Sequence, residues 1–467
     1  MSSTQPKTIL MPIFNGLRAR NFFLTDTFDE LLKANIRIVI LAPSHKIDFY
    51  RKHYAHELVV FEDWKMVKEP WQGKKLHKIA FSLLDTGTIR AKQYMFYVRH
   101  KNFLKFLLQR MVTVVFGNRR PLRLFVRWLD QFVPLNKEMV AYLNKYKPDL
   151  VIAPDIILST DRITLRAAKR LGYPTLGMVR SWDNLTAKGV IQLIPDHLVS
   201  QTSRMKGEAI HYGDMKAENI SVVGAPQFDI HFKPTRLTRE QFLDSLDIPR
   251  DRRLVLCAPF FGEYSTKSGM QIVRDLAQAI DDGKIPKDVH LLVRYRPEDY
   301  TDAATVLQHS FEHPHVTITR PASRSFRDAH GKADFEFTID DLYVMEHSLR
   351  YSSLSINTIS TFTIDAAAID CPVINVRYDA DPETPPPFRV ELFSHYDHYL
   401  ILEKTGGVRL VYTPDELLRA VNEYLQDPSR DREGRARIRD EQIEFTDGKS
   451  GARTAEAIVA RLKVVAP

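Results

Sequence analysis

Cysteine is nearly missing from this sequence: the 467 residues include two, Cys257 and Cys371. Each stands in an apolar run, "LVLCAPFF" and "CPVINV". Both therefore read as reduced core residues of a cytoplasmic protein rather than as a disulfide or a metal pair. Long apolar runs are missing too. No stretch of about 18 uncharged apolar residues occurs, which argues against a membrane span. The first residues, "MSSTQPKTILMPIF", lack the long apolar core of a signal peptide. Several catalytic signatures are also absent. There is no G-x-S-x-G, no H-E-x-x-H, no G-x-G-x-x-G and no P-loop spacing, which argues against hydrolase, zincin and dinucleotide readings. No fixed short repeat and no low-complexity tract appears.

What is present belongs to an ordinary soluble chain. Hydrophobic residues make up 44% and charged residues 27%, and the length suffices for two domains with separate cores. The formal net charge is +8. That excess suits nucleic acid, an anionic membrane surface or a phosphorylated substrate, and by itself selects none of them.

Short buried strands alternate with amphipathic helices. The first unit is "KTILMPIF", the polar loop "NGLRARNFF", the helical "TDTFDELLKANI" and the strand "RIVILAP". The rhythm returns at "KPDLVIAPD" (147–155), and again from "RLVLCAPFF" (253–261) to "GVRLVYTPDELLRAVNEYL" (407–425). Such alternation predicts parallel sheets with crossover helices. Between the two runs lies a charged stretch with several prolines. The expectation is thus an α/β protein of two Rossmann-like domains facing each other across a cleft, residues 1–235 and 236–467.

Residues 74–137 break the rhythm. They carry fourteen Lys/Arg against two acids, Asp85 and Asp130, interleaved with aromatics. The spacing predicts a basic, aromatic helical insertion in the first domain. It is suited to an anionic membrane surface, or else is a helical pair with a solvated basic face. No RNP, zinc-finger or similar module accompanies the charge, so no nucleic acid is expected as a partner.

Four stretches can carry chemistry. In "SINTISTFTIDAAAIDCPVINV" (355–376), six short polar residues stand where a strand meets a helix. Ser360 and Thr361 would lie at the helix N-terminus, a place suited to a diphosphate. Asp365, about one turn on, can accept from a ribose or sugar hydroxyl. Simple helix capping is the competing explanation. In "LLVRYRP" (291–297), Arg294 and Arg296 follow a buried strand, where open α/β sheets bind ligands and arginine pairs with phosphate. In "CAPFFGEYSTKSG" (257–269), a loop after a strand offers Gly262 for close backbone approach and Ser265, Thr266 and Lys267 for phosphate. In the first half, Asn15, Gly16 and Arg18 follow the first strand, beside Arg20. "RSWDNLTAKG" (180–189) groups Trp182, Asp183 and Lys188, an aromatic and polar set suited to a sugar. A general base for an acceptor hydroxyl can be Asp183, Asp155 or Asp161, and position does not choose among them. "DAD" (379–381) is followed by "PETPPP" and reads as a mobile loop, and "HYDH" (395–398) and "HPH" (313–315) lack a third partner at ligand spacing, so no metal is expected.

The chain resembles bacterial glycosyltransferases of the two-Rossmann GT-B fold. The likeness is to the surface-polysaccharide branch that shares a C-terminal domain with CDP-glycerol glycerophosphotransferases. It is carried by "VVGAPQFD" (222–229), by 355–376, by "TGGVRLVYTPDELLRAV" (405–421) and by "FTDGKSGARTAEAI" (445–458). The resemblance implies a nucleotide-sugar donor on the C-terminal domain. Its diphosphate would be held at Ser360 and Thr361, its ribose at Asp365, with Arg294 as a phosphate contact. It implies no cofactor beyond the nucleotide-sugar co-substrate, and no metal. The acceptor would be a cell-surface glycan or a lipid-linked molecule, bound on the N-terminal domain. The enzyme would be cytoplasmic, with a peripheral place at the inner face of the cytoplasmic membrane open to it. The glycerophosphotransferases carry an aspartate-tyrosine-serine-serine run and a histidine-proline pair where this chain has "INTIST" and "RYRP". The related epimerases carry a histidine-glycine-aspartate signature that is missing here. Glycerophosphate transfer, nucleotide-sugar epimerisation and non-catalytic nucleotide-sugar binding are the alternatives.

Overall fold

Apolar runs of three to six residues, too short for buried helices and rich in Val, Ile and Leu, form two parallel sheets. The computed structural model describes residues 5–65, 68–258, 262–295, 311–319, 323–327, 333–358 and 360–464; the side chains of 262–266 and 333 are also outside it. The first sheet contains β1 (Thr8–Pro12), β2 (Arg37–Ala42), β3 (Val59–Asp63), β4 (Leu150–Ala153), β5 (Thr175–Met178), β6 (His197–Ser200) and β7 (Ile220–Val222). Their order is β3-β2-β1-β4-β5-β6-β7. The second contains β8 (Arg253–Ala258), β9 (Val289–Arg294), β10 (Val316–Thr319), β13 (Ser352–Asn357), β14 (Val373–Val376) and β15 (Arg409–Val411). Its order, β10-β9-β8-β13-β14-β15, repeats the first. Strand order therefore reverses between β1 and β4 and again between β8 and β13. Crevices beyond the strand ends at such points are where open α/β sheets bind ligands. An antiparallel hairpin, β11 (Arg324–Arg327) with β12 (Ala333–Glu336), stands apart from both sheets.

Two of the motifs behind the family resemblance are joints of the fold. Gly224 has φ +89°, and a Cβ there would come within 2.3 Å of Ser450 Oγ. Asp229 accepts from the backbone N–H groups of Ser450 (3.1 Å) and Gly451 (2.8 Å), which caps the last helix, Ser450–Val464. That helix returns to the first sheet, where Ala455, Ile458 and Leu462 join the core around Ile9 and Ile38.

The insertion forms four helices, Trp71–Ser82, Gly87–His100, Phe103–Phe116 and Arg120–Asp130. Asp397 ties it to the second half by accepting from Thr88 N (2.6 Å) and Thr88 Oγ1 (2.9 Å). A Cβ on Gly87 would meet the same carboxylate at 2.8 Å. Both cysteines are buried and free, and burial pushes each thiol up to about 12.

Candidate functional site

A cavity of about 380 Å³ opens between the two sheets at both points of order reversal. The first half contributes Leu17 and Arg20 from beyond β1, and Arg180, Trp182 and Asp183 from beyond β5. The second half contributes Ala258, Arg294 and Tyr295 from the ends of β8 and β9, and Thr358, Ser360, Thr361 and Asp365 from beyond β13. His398 and Tyr399 close one side, and Phe335 and Phe337 from the hairpin close another.

The polar cluster after β13 divides into two groups. Asn357 and Thr363 face inward and join Asn375 of β14: Asn375 Nδ2 donates to Asn357 Oδ1 (2.6 Å), as does Thr363 Oγ1 (3.2 Å). This buried network ties adjacent strand ends together. Thr358, Ser360 and Thr361 face the cavity. Ser360 Oγ accepts from Phe362 N (3.2 Å), so it also caps the short helix Phe362–Ala368. Capping and cavity lining therefore coexist in one residue.

Arginines converge from both halves. Arg294 donates to Asp341 Oδ1 at 2.8 Å through Nη2, whereas its buried Nη1 has no hydrogen-bond partner. Arg20 makes no ion pair among the described residues; its guanidinium lies 5.3 Å from the centre of the Phe337 ring. Burial pushes it down to about 10, against the opposing pull of Asp365 and with the help of Arg180. Such a half-buried cation favours a ligand that brings negative charge.

Of the three expected base candidates, the structure brings Asp183 to the cavity. Burial alone would raise its carboxyl, but Lys188, His398, the Ser181 hydroxyl and Arg180 outweigh that and hold it well below its ordinary value. Asp155 and Asp161 lie behind the wall and are wholly buried. Asp155 accepts from Arg180 Nε (2.8 Å) and Asn184 Nδ2 (3.2 Å). Asp161 pairs with Arg18 at 2.9 Å; burial raises it to about 6, Arg18 opposing. These carboxylates orient the arginines of the first half.

The remaining expected residues separate similarly. Arg18 is buried on Asp161 and Thr160, and its neighbour Arg20 reaches the cleft instead. Asn15 caps the helix Gly16–Phe23. Gly16 allows close approach between the halves: a Cβ there would come within 2.5 Å of Phe335 O. Trp182 lines the cavity, its ring 4.8 Å from His398 and 5.2 Å from Tyr399. Lys188 turns away, donating to Asn184 Oδ1 (2.8 Å).

The expected loop at 262–269 is instead the start of the helix Gly262–Asp281. Met270, Val273, Leu276, Ala277 and Ile280 recur at helical spacing and are buried, and that stripe carries the helix back through the Gly/Ser/Thr/Lys segment. Gly262 begins this helix, and Lys267 is exposed on it, away from the cavity lining. Arg296 lies outside the described residues.

His398 was passed over in the sequence because "HYDH" has no third metal ligand. Its signal is not spacing but position opposite Asp183. Burial lowers its imidazole to about 4, Asp183 opposing and Lys92 adding, so the ring is neutral at neutral pH. Its Nδ1 is buried without a partner.

No family model matches the sequence, and no curated protein matches it. Solved structures do share the fold. A co-structure of MnaA from S. aureus with UDP aligns at TM-score 0.56 and 11% identity, over 98% of this chain and 97% of that one. UDP-GlcNAc 2-epimerase from Neisseria meningitidis bound to UDP-GlcNAc aligns at 0.54 and 11%, over 97% and 100%. A glycosyltransferase from Rickettsia africae aligns at 0.50 and 12%, over 98% and 99%. The two-domain GT-B architecture is thus shared along nearly the whole chain.

Proposed function

We propose that the protein is a glycosyltransferase that moves a sugar from a nucleotide-sugar donor to a glycan or lipid-linked acceptor. The observation that carries this reading is the convergence of Arg20 and Arg294, from opposite halves, on one cleft with Ser360 and Thr361. Guanidinium nitrogens without carboxylate partners, beside hydroxyls and a helix start, suit a diphosphate. Asp365 at the same place suits a ribose or sugar hydroxyl. The nucleotide ligands named for the S. aureus and Neisseria proteins of this fold support a nucleotide-sugar partner.

Asp183 serves as the base in this reading. The acceptor oxygen bonds to the anomeric carbon while the bond from that carbon to the donor phosphate oxygen breaks. The bonding pair leaves with the nucleoside diphosphate, where the arginines stabilise its charge. The acceptor proton passes to Asp183. A carboxylate held below its ordinary pKa takes that proton only as attack on the sugar advances.

In this reading the insertion would hold the enzyme near an anionic membrane surface. Its helix Phe103–Phe116 turns its apolar residues outward, with Leu104 78% and Leu108 57% exposed; Trp128 and Phe132 beyond it are 54% and 63% exposed. Residues 74–137 carry fourteen Lys/Arg against two acids; Arg123 and Arg127 are taken up by Asp214 and Arg90 by Asp85, and the remaining positive excess suits anionic lipid. No described helix is long and apolar enough to cross a membrane.

Thermal-shift measurements against UDP-, GDP-, CMP-, CDP- and dTDP-linked ligands, repeated with Asp365→Ala, test the donor site. A shift for one nucleotide class that Asp365→Ala reduces supports it, and no shift with any overturns it. Incubating the bound nucleotide sugar with and without a lipid extract tests the reaction. Release of nucleoside diphosphate only with extract supports transfer, whereas an epimerised nucleotide sugar without extract replaces it with epimerisation.

A further inference from the structure

A second cavity, of about 890 Å³, lies within the first half between the insertion helices Trp71–Ser82, Gly87–His100 and Phe103–Phe116 and the segment Ile157–Arg162. Its lining has two characters. Phe81, Met95, Phe96, Tyr97 and Phe106 supply apolar and aromatic surface, and Lys78, Lys92, Lys105 and Lys188 supply positive charge. No Asp or Glu is among the lining residues.

Several of these cations lack a counter-charge. Lys78 and Lys105 make no ion pair among the described residues. Lys92 is held by a carbonyl rather than a carboxylate, donating to Ala187 O at 2.7 Å. Burial pushes its ammonium down to about 8, Asp183 opposing and Lys188 adding. Arg162 is neutralised by Glu69, which lies outside the lining. An anion attached to an apolar body would satisfy both the cations and the aromatic walls.

The cavity also borders the cleft. Asp183 lines the cleft and Lys188 lines the second cavity, with Lys188 Nζ 3.8 Å from Asp183 Oδ2. The short helix Asn184–Ala187 is the partition. The helix Phe103–Phe116 lines the cavity with Lys105, Phe106 and Gln109 while exposing Leu104, Leu107 and Leu108. A molecule entering from a lipid surface would meet this pocket before the cleft.

We propose that this cavity binds a phosphorylated amphiphile, an isoprenoid- or acyl-type chain ending in phosphate or diphosphate, as the acceptor or its anchor. The proposal rests on the transfer reading above. The phosphate lies among Lys78, Lys92 and Lys105, and the chain lies on the aromatic wall toward the exposed helix face. Lys92 and Lys188 stand at the border with the cleft, on the side of Asp183.

The test is titration calorimetry of the full chain with farnesyl monophosphate below its micellar concentration, with farnesol and sodium phosphate as separate ligands. Saturable binding of farnesyl phosphate, at least tenfold tighter than either control, is expected. Lys78→Glu with Lys105→Glu, both at exposed positions, should weaken it at least tenfold. Lys137→Glu, a charge reversal away from the cavity, should leave it unchanged. Equal binding of farnesol, equal binding of phosphate, or equal weakening by Lys137→Glu would each overturn the proposal. The nucleotide thermal shift of the Lys78/Lys105 variant is measured beside it. A retained shift with lost farnesyl phosphate binding assigns the effect to this cavity, and a lost shift in the unaltered chain would fail the donor site instead.

Discussion

His231 Nε2 lies 2.9 Å from Asp365 Oδ1, joining the segment between the two sheets to the helix on the floor of the cleft. The imidazole is wholly buried, and Asp365 lines the cavity beside Ser360 and Thr361. Under the proposed function, a sugar or ribose hydroxyl would meet a carboxylate positioned by the segment that joins the two halves. Asp365→Ala is expected to remove the nucleotide thermal shift. His231→Ala should weaken nucleotide binding about five- to tenfold, the worth of one positioning hydrogen bond of about 1 kcal/mol. Titration calorimetry with the nucleotide reads both; unchanged affinity in His231→Ala would mean the carboxylate needs no such support.

Asp183→Asn separates binding from chemistry. It keeps the shape of the wall beside Trp182 and removes the proton acceptor. Turnover should fall about 10²- to 10⁴-fold, the usual contribution of a positioned base, with nucleotide affinity within about twofold. Asp155→Asn should act differently, since Asp155 holds Arg180 at 2.8 Å and does not line the cleft. Its loss should lower the melting temperature together with activity, measured by parallel melts and initial rates.

Much of the architecture was legible in the sequence because alternation of short apolar runs with amphipathic stretches is a local property. The position of Ser360, Thr361, Asp365 and Arg294 at one cavity followed from the same logic, since strand ends in a parallel sheet share one edge. What was not legible depends on the side-chain direction of neighbouring residues. Arg18 and Arg20 differ by two positions on one helix, so one turns to Asp161 and the other to the cleft. Asp155, Asp161 and Asp183 look alike as isolated carboxylates, and only packing shows which is enclosed. His398 comes from far along the chain, beside a residue pair that looked like half a metal site. The hydrophobic stripe beginning at Met270 extended its helix over glycines that read as a loop.

The His398 imidazole gives a pH dependence with a definite sign. Its folded value is about 4 against an ordinary 6.5, chiefly through burial. The unfolded chain therefore binds the proton more readily, and stability is lost as pH falls below 6.5 toward 4. Between pH 7 and pH 5 this one group should cost on the order of 2 kcal/mol by linkage. His398→Gln should flatten that part of the profile, read as a smaller fall in melting temperature from pH 7 to pH 5. A profile identical to that of the unaltered chain would assign the acid sensitivity to other groups, His77 and His290 first, which burial lowers in the same way.

The hairpin that closes the cleft is held by one buried lysine. Lys46 Nζ lies 2.7 Å from both Asp334 Oδ2 and Glu336 Oε1, and donates to Phe335 O at 3.1 Å. Tyr50 Oη donates to the same Glu336 oxygen at 2.6 Å. Burial raises Glu336, with Lys46 opposing. Lys46→Met leaves Glu336 buried without a cation, while Asp334 keeps His45 at 3.0 Å, a loss of about 3–5 kcal/mol for a broken buried pair. The remaining ties of this two-stranded hairpin to the first half include His45 on Asp334 (3.0 Å), Tyr50 on Glu336 and the Phe49–Phe326 ring contact (5.5 Å), and a lone hairpin adds little stability of its own. The expected result is faster amide exchange over Arg324–Arg327 and Ala333–Glu336, with the sheets' exchange unchanged. Because Phe335 and Phe337 line the cleft, nucleotide binding should weaken in parallel. Lys46→Met combined with Glu336→Gln removes one orphaned charge and should recover part of both effects. If exchange in the hairpin does not change in Lys46→Met, the contact of Gly16 with Phe335 holds it instead, and Gly16→Val should then release it.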